Sequence, residues 1–223
     1  MTPRRLARWA AIATAALLIA AVVTQLRPFW WDTRRPGHSL VVFERHRVLL
    51  MGGAWARILL VFPVTALGVA LTGLVDGESL EARLAKALAA TAGVLSAVSG
   101  TVAVAIGVTA EEQESGPAVA VLADSLYWVQ DNLLTLSLVA FAAALVVISS
   151  RLRDQNILPA WGGASARVAL VGAIAIPMSF YIGGAAYRSA LYAVPAFAAE
   201  AAMVIWLLVL ARGLTPARLG SPS

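Results

Sequence analysis

The chain has 223 residues, 60% of them hydrophobic and 13% charged, with a formal net charge of +5. Against about 45–50% apolar and 25% charged residues in a soluble domain, this composition excludes an ordinary water-soluble fold. Cysteine is absent, which removes disulfides, thiolate metal sites, iron–sulfur clusters and cysteine nucleophiles.

Six apolar stretches cover about residues 8–26, 57–75, 87–109, 130–149, 167–186 and 190–211. Each approaches the roughly 20 residues a helix needs to cross a hydrocarbon core. The expected fold is therefore all-α, a polytopic transmembrane helical bundle with six spans, in a single domain over residues 1–223. The basic residues sit at span ends rather than in one stripe, so the lipid bilayer is the expected partner and nucleic acid is not. Lys86 is the only lysine in an arginine- and alanine-rich chain, a bias that points to a bacterial source and a bacterial cytoplasmic membrane.

The first span follows Arg4, Arg5 and Arg8, an arrangement shared with signal peptides. Its apolar run to Val23 is longer than the usual 7–15-residue core of such a peptide, and no small-x-small cleavage site precedes Arg27. It is read as an uncleaved span. Residues 27–56 then form the expected first loop, with Arg27, Trp30, Trp31, Arg34, Arg35, His38, Arg45, His46, Arg47 and Trp55. Aromatics mixed with arginine suit the headgroup zone, and Leu40 to Leu50 reads as a short helix on the interface. Partner binding outside the membrane is the alternative. Both histidines fall in this loop, which leaves no bis-histidine haem site inside the bundle. No P-loop, nucleophile elbow or dinucleotide fingerprint is present. No cofactor or metal is expected, and enzymatic chemistry is the least supported class.

Span two contains Pro63, span five Pro177 and span six Pro195. Each proline removes a backbone bond to the carbonyl four residues earlier, so these are candidate structural kinks that shape a central cavity. Span three carries Gly93, Ser96, Ala97, Gly100, Ala103 and Gly107, whose small-xxx-small pairs allow close helix approach. Packing within the bundle is the expected use; a homo-oligomer or a membrane partner subunit is the alternative. At the start of span four, Asp124, Trp128 and Asp131 share a face with Tyr127 at helical spacing. Acidic and aromatic groups at a mouth attract a cation, while the plainer reading is a belt aromatic beside solvated carboxylates.

With six spans both termini share a side. The N-inside arrangement puts Arg4, Arg5, Arg8, Arg83, Lys86, Arg151, Arg153, Arg167, Arg212 and Arg218 in the cytoplasm. Outside it leaves Arg27, Arg34, Arg35, Arg45, Arg47, Arg57 and Arg188, together with the acidic Glu111, Glu112 and Glu114. The basic excess favours both termini cytoplasmic.

Residues 51–61 and 161–171 match at seven of eleven positions without gaps, and each stretch opens a proline-containing span. Spans two and five cross in opposite directions, so two inverted three-helix halves are one arrangement the sequence allows, with chance as its competitor. The stretch from Arg151-Leu152-Arg153 through Leu158-Pro159-Ala160-Trp161-Gly162-Gly163 into Ala166-Arg167-Val168 is similar to six-span bacterial membrane proteins of unknown function, many of the actinobacterial type. That resemblance implies the span count and the membrane, and supplies no activity and no catalytic residue.

Glu200 sits near the middle of span six. A central ionisable residue costs roughly 2.5–3.5 kcal/mol on insertion scales for Asp or Arg, and is by default a functional-site hypothesis. It is expected to face the interior, beside hydroxyls such as Thr65, Thr101, Thr135 or Ser179. The reading is a small membrane protein that binds or transports a small solute or ion, with Glu200, Asp131, Trp128 and Asp124 as candidate binding residues. The runner-up is a non-catalytic subunit packing on a partner, and the third is an enzyme acting on a lipid or quinone.

Overall fold

The computed structural model describes residues 1–29, 38–75, 77–110, 117–182 and 190–215. Trp30, Trp31, Arg34, Arg35, Glu111, Glu112, Glu114, Arg188 and Arg218 lie outside the described residues, as do the side chains of Arg27, His38 and Ser179. The helices are α1 (Pro3–Phe29), α2 (His38–Leu59), α3 (Val61–Thr72), α4 (Leu80–Thr109), α5 (Pro117–Asp154), α6 (Gly162–Ile182) and α7 (Ala190–Gly213). Among the described residues no strand is found. The all-α expectation holds.

Helices α2 and α3 abut at Leu60 and form one rod, interrupted where Pro63 has no N–H to give to Leu59. The ladder is intact on either side, with Leu60 N–H donating to Ala56 O at 3.0 Å and Val64 N–H to Leu60 O at 3.1 Å. Helices α6 and α7 instead run through Pro177 and Pro195 without ending. Of the three candidate kinks, only Pro63 coincides with a helix boundary.

Local chemistry sets the other ends. Ser79 is extended and its hydroxyl accepts from Ala82 N–H, with Glu81 in the first turn of α4, a favourable cap and charge for a helix start. Helix α5 closes through Asn156, the non-glycine residue at positive φ (56°). Ile157 N–H reaches Leu152 O at 2.9 Å and Asn156 N–H reaches Arg153 O at 2.8 Å, the paired bonds of a left-handed helix stop.

By length and composition, five helices can cross a membrane: Pro3–Thr24, Phe43–Thr72, Leu80–Thr109, Ala118–Asp154 and Val194–Gly213. Helix α6 adds a shorter apolar segment, Gly162–Met178, and the fifth expected span, 167–186, runs past the described residues at 182. Span two needs correction. It was expected at 57–75, with 40–50 on the interface, yet the rod runs from Phe43 to Thr72. Glu44, Arg45 and Arg47 are tolerated because they lie exposed on one side while Phe43, Leu50 and Ala54 are buried on the other. His46, expected outside the spans, is in the first turn of this rod, at a kink in α2.

Consecutive rods run antiparallel. Pro3 of α1 lies against Gly73 and Thr24 against Gly53, so α1 descends along the α2–α3 rod. On α4, Gly93 faces Val61, Gly100 faces Ala54 and Ile58, and Gly107 faces Met51. The small-residue stripe is thus used inside the bundle, as expected, because a helix without side chains there lets backbones approach. Ser137 of α5 reaches Ala92 O at 2.8 Å and Ser99 reaches Gln130 O at 2.9 Å. Gly172 of α6 meets Pro195 and Ala199 of α7, and α1 closes the ring against α7.

This alternation gathers Arg4, Arg5, Arg83, Lys86, Arg151, Arg153, Arg167 and Arg212 at one end of the bundle. There Arg151 Nη2 meets Glu81 Oε1 at 2.8 Å, and Arg83 pairs with Glu78. A large apolar core fills that half, from Ala7 and Leu71 through Leu145 and Trp206 to Leu214. A smaller one, with Phe43, Leu50, Ala54, Ala103, Ile106 and Ala123, fills the opposite half between α2, α4 and α5.

Candidate functional site

Between the two apolar clusters lies a layer of buried polar side chains: Arg57 from α2, Ser96 and Ser99 from α4, and Gln130 and Asp131 from α5. Arg57 is only 2% exposed and sits midway along the Phe43–Thr72 rod. The sequence reading had placed it at the outer end of a span. Its guanidinium Nη1 donates to Ser99 Oγ at 3.5 Å, and Ser99 donates onward to Gln130 O. Its own carbonyl accepts from Ser96 Oγ at 3.1 Å, one turn before the break at Leu60. The side-chain oxygen of Gln130 is buried without a hydrogen-bond partner, so the layer holds an acceptor that apolar surroundings penalise.

A cavity opens beside this layer. It is lined by Leu18 and Ala21 of α1, Arg57, Leu60, Val64 of α3, Ala92 and Ser96 of α4, Leu134, Ser137, Leu138 and Phe141 of α5, and Glu200 of α7. It leaves about 20 Å³ for the centres of water-sized molecules, more than the roughly 10–15 Å³ that one water requires. Glu200 is partly buried and lines the cavity together with Arg57, a residue of opposite charge. Glu200 thus faces the bundle interior as expected. Its hydroxyl neighbours differ from those expected. They are Ser96 and Ser137, whereas Thr101 is exposed and bonds back to Ala97 O, and neither Thr65 nor Thr135 lines the cavity. Helix rotation decides this, because Ser96 and Ser137 fall on the inward faces of α4 and α5.

The acidic–aromatic face of α5 is divided. Asp131 is buried within the polar layer, at 6% exposure, Asp124 is partly buried, and Trp128 points outward at 39% exposure. Burial thus differs along this one face. Asp131 follows Gln130, whose backbone carbonyl accepts from Ser99.

The echoed segments also part company. Arg57 is buried but Arg167 is exposed, and Gly52 is exposed while Gly162 is buried. Identical letters therefore face different environments in α2 and α6. Sequence reasoning missed Arg57, Ser99 and Gln130. One signal pointed to the first: Arg57 is the only charged residue between Arg47 and Asp76.

No protein family, curated protein or solved structure matches the chain.

Proposed function

We propose that this chain is a multi-pass protein of a bacterial cytoplasmic membrane, with both termini inside. Its cavity between Arg57 and Glu200 binds a small ion or polar solute on the way through the bundle. One observation carries the reading: opposite charges from α2 and α7 face a single water-sized cavity in the middle of the rods. Ionisable groups within a membrane are expensive, and those that persist pair with each other or line a path for ions and solutes. The basic end of the bundle supports this orientation. Moving Arg57 from the outer flank to the interior leaves ten basic residues inside against six outside, all counted from the sequence.

Reconstitution into sealed liposomes tests the proposal. Permeability to protons, Na⁺, K⁺, Cl⁻ and small neutral solutes is compared for the wild type, Arg57→Gln, Glu200→Gln and empty vesicles. A species conducted by the wild type and blocked in both variants supports the reading. A folded wild-type protein that leaves the vesicles as tight as empty ones for the whole panel refutes it.

A further inference from the structure

We infer that Glu200 is the group on which the bundle loads and releases a proton, with Arg57 as its counter-charge and Asp131 as a second buried carboxylate. The inference rests on the cavity being a binding site and names the species it takes.

Size is the first argument. Room for the centres of about one or two waters shuts out organic solutes while the bundle keeps this packing. Ligand chemistry is the second. Hard divalent cations take about six oxygens or more, and here a metal ion meets one carboxylate and two serine hydroxyls. Both hydroxyls already donate, Ser96 to Arg57 O and Ser137 to Ala92 O, and the Arg57 guanidinium repels a cation. An anion drawn to Arg57 meets the Glu200 carboxylate. A proton needs only a carboxyl oxygen and a water to carry it in.

Charge balance is the third argument. In the middle of the bundle the charged side chains among the described residues are Arg57, Asp131 and Glu200. Two negatives against one positive leave an excess charge in a low-dielectric interior, which is costly unless neutralised. Asp131 is almost fully buried and already engaged within the fold. Glu200 is only partly buried and lines the cavity, which has room for water. With Glu200 protonated, Arg57 and Asp131 remain as a balanced pair. On release, the O–H bond of the carboxyl breaks, the electron pair stays on the carboxylate, the proton passes to cavity water, and Arg57 serves two carboxylates.

Among the described residues, the surroundings add no other titrating group. The α1, α3, α4 and α5 residues at the cavity are aliphatic, apart from Phe141 and the two serines. Helix α6 approaches α7 through Gly172, and its Arg167 is exposed.

Infrared difference spectra of the full chain in lipid nanodiscs, acid minus alkaline, test the assignment. Subtracting the Glu200→Gln spectrum from the wild-type spectrum should isolate one carboxylic-acid C=O band, present in acid and lost in alkali. Asp131→Asn should keep that band but bring it in only at more acid pH, since Arg57 then faces Glu200 alone, and Glu200→Asp should keep it at a shifted frequency, which covers an amide variant that misfolds. Identical wild-type and Glu200→Gln spectra, or a band that Asp131→Asn removes even at the acid limit with Glu200 in place, overturn the inference. Conduction is read separately. A Glu200 band without flux keeps the proton site and refutes transport, whereas flux of another solute without the band does the reverse.

Discussion

Gly100→Ala is the most direct probe of how α2 and α4 pack. A Cβ built on Gly100 lies 2.5 Å from Ala54 O, 2.8 Å from Ile58 Cγ1 and 3.1 Å from Ile58 N. Two of these are backbone atoms, so no side-chain rotation relieves the clash and the two rods must separate. Overpacking of this kind costs about 1–3 kcal/mol, and backbone contact places Gly100→Ala toward the upper part of that range. The natural control is Gly52→Ala on the facing α2–α3 rod, where nothing lies within 4 Å. There the added methyl only removes the helix penalty of glycine, roughly 0.5–1 kcal/mol in favour of alanine. One chemical change thus carries opposite signs 48 residues apart. Reversible unfolding in mixed micelles, followed by helical circular dichroism, should show Gly100→Ala less stable than wild type and Gly52→Ala equal or slightly better. Equal midpoints for the two variants would refute the packing of α4 on α2, and with it the placement of Arg57.

The two echoed arginines make a second contrast: Arg57→Ala should destabilise by about 3–5 kcal/mol because it strands a buried carboxylate, while the exposed Arg167→Ala should stay within about 0.5 kcal/mol, both read from the same micelle unfolding. Trp206 Nε1 donates to Ser149 Oγ at 3.0 Å in the core between α7 and α5, so a double-mutant cycle of Trp206→Phe and Ser149→Ala should return a coupling of about 0.5–1.5 kcal/mol, and a coupling of zero would remove that contact. A reporter fused after Ser223 should read cytoplasmic and one inserted at Ser115 external; the reverse at both sites would invert the proposed orientation.

The all-helical bundle was legible because apolar runs near 20 residues have few other homes. The boundaries of span two were not legible, and the reason is instructive. A window that ends a span at the first charge places Arg57 at the membrane edge. A charge whose carbonyl and guanidinium both find serines on the next helix can sit at the centre instead. Those serines belong to α4, about 40 residues away, so no local pattern reveals the pairing. Glu200 was legible as a lone carboxylate in an apolar run. Its neighbours were not, because Ser96 and Ser137 were chosen over Thr101 and Thr135 by helix rotation, which hydropathy does not encode. On α5 the i, i+4, i+7 spacing put Asp124, Trp128 and Asp131 on a common face. It did not say that the edge of the packed surface would fall across that face.

The small residues of α4 do two jobs that are tied together. Gly93, Gly100 and Gly107 bring its backbone against the α2–α3 rod, and close approach alone is enough to explain glycine there. Ser96 and Ser99 occupy the same stripe but carry hydroxyls, and only at this short distance can those hydroxyls reach across. Ser96 meets the carbonyl of Arg57 where the ladder of α2 stops short of Pro63, and Ser99 passes a hydrogen bond from the guanidinium to the backbone of α5. A wider interface built on leucine would have left Arg57 facing apolar side chains, with a penalty of several kcal/mol for the unmet charge. The glycines are therefore a condition for the polar layer, and the polar layer in turn is what allows a charge from α2 to face Glu200 inside the bundle.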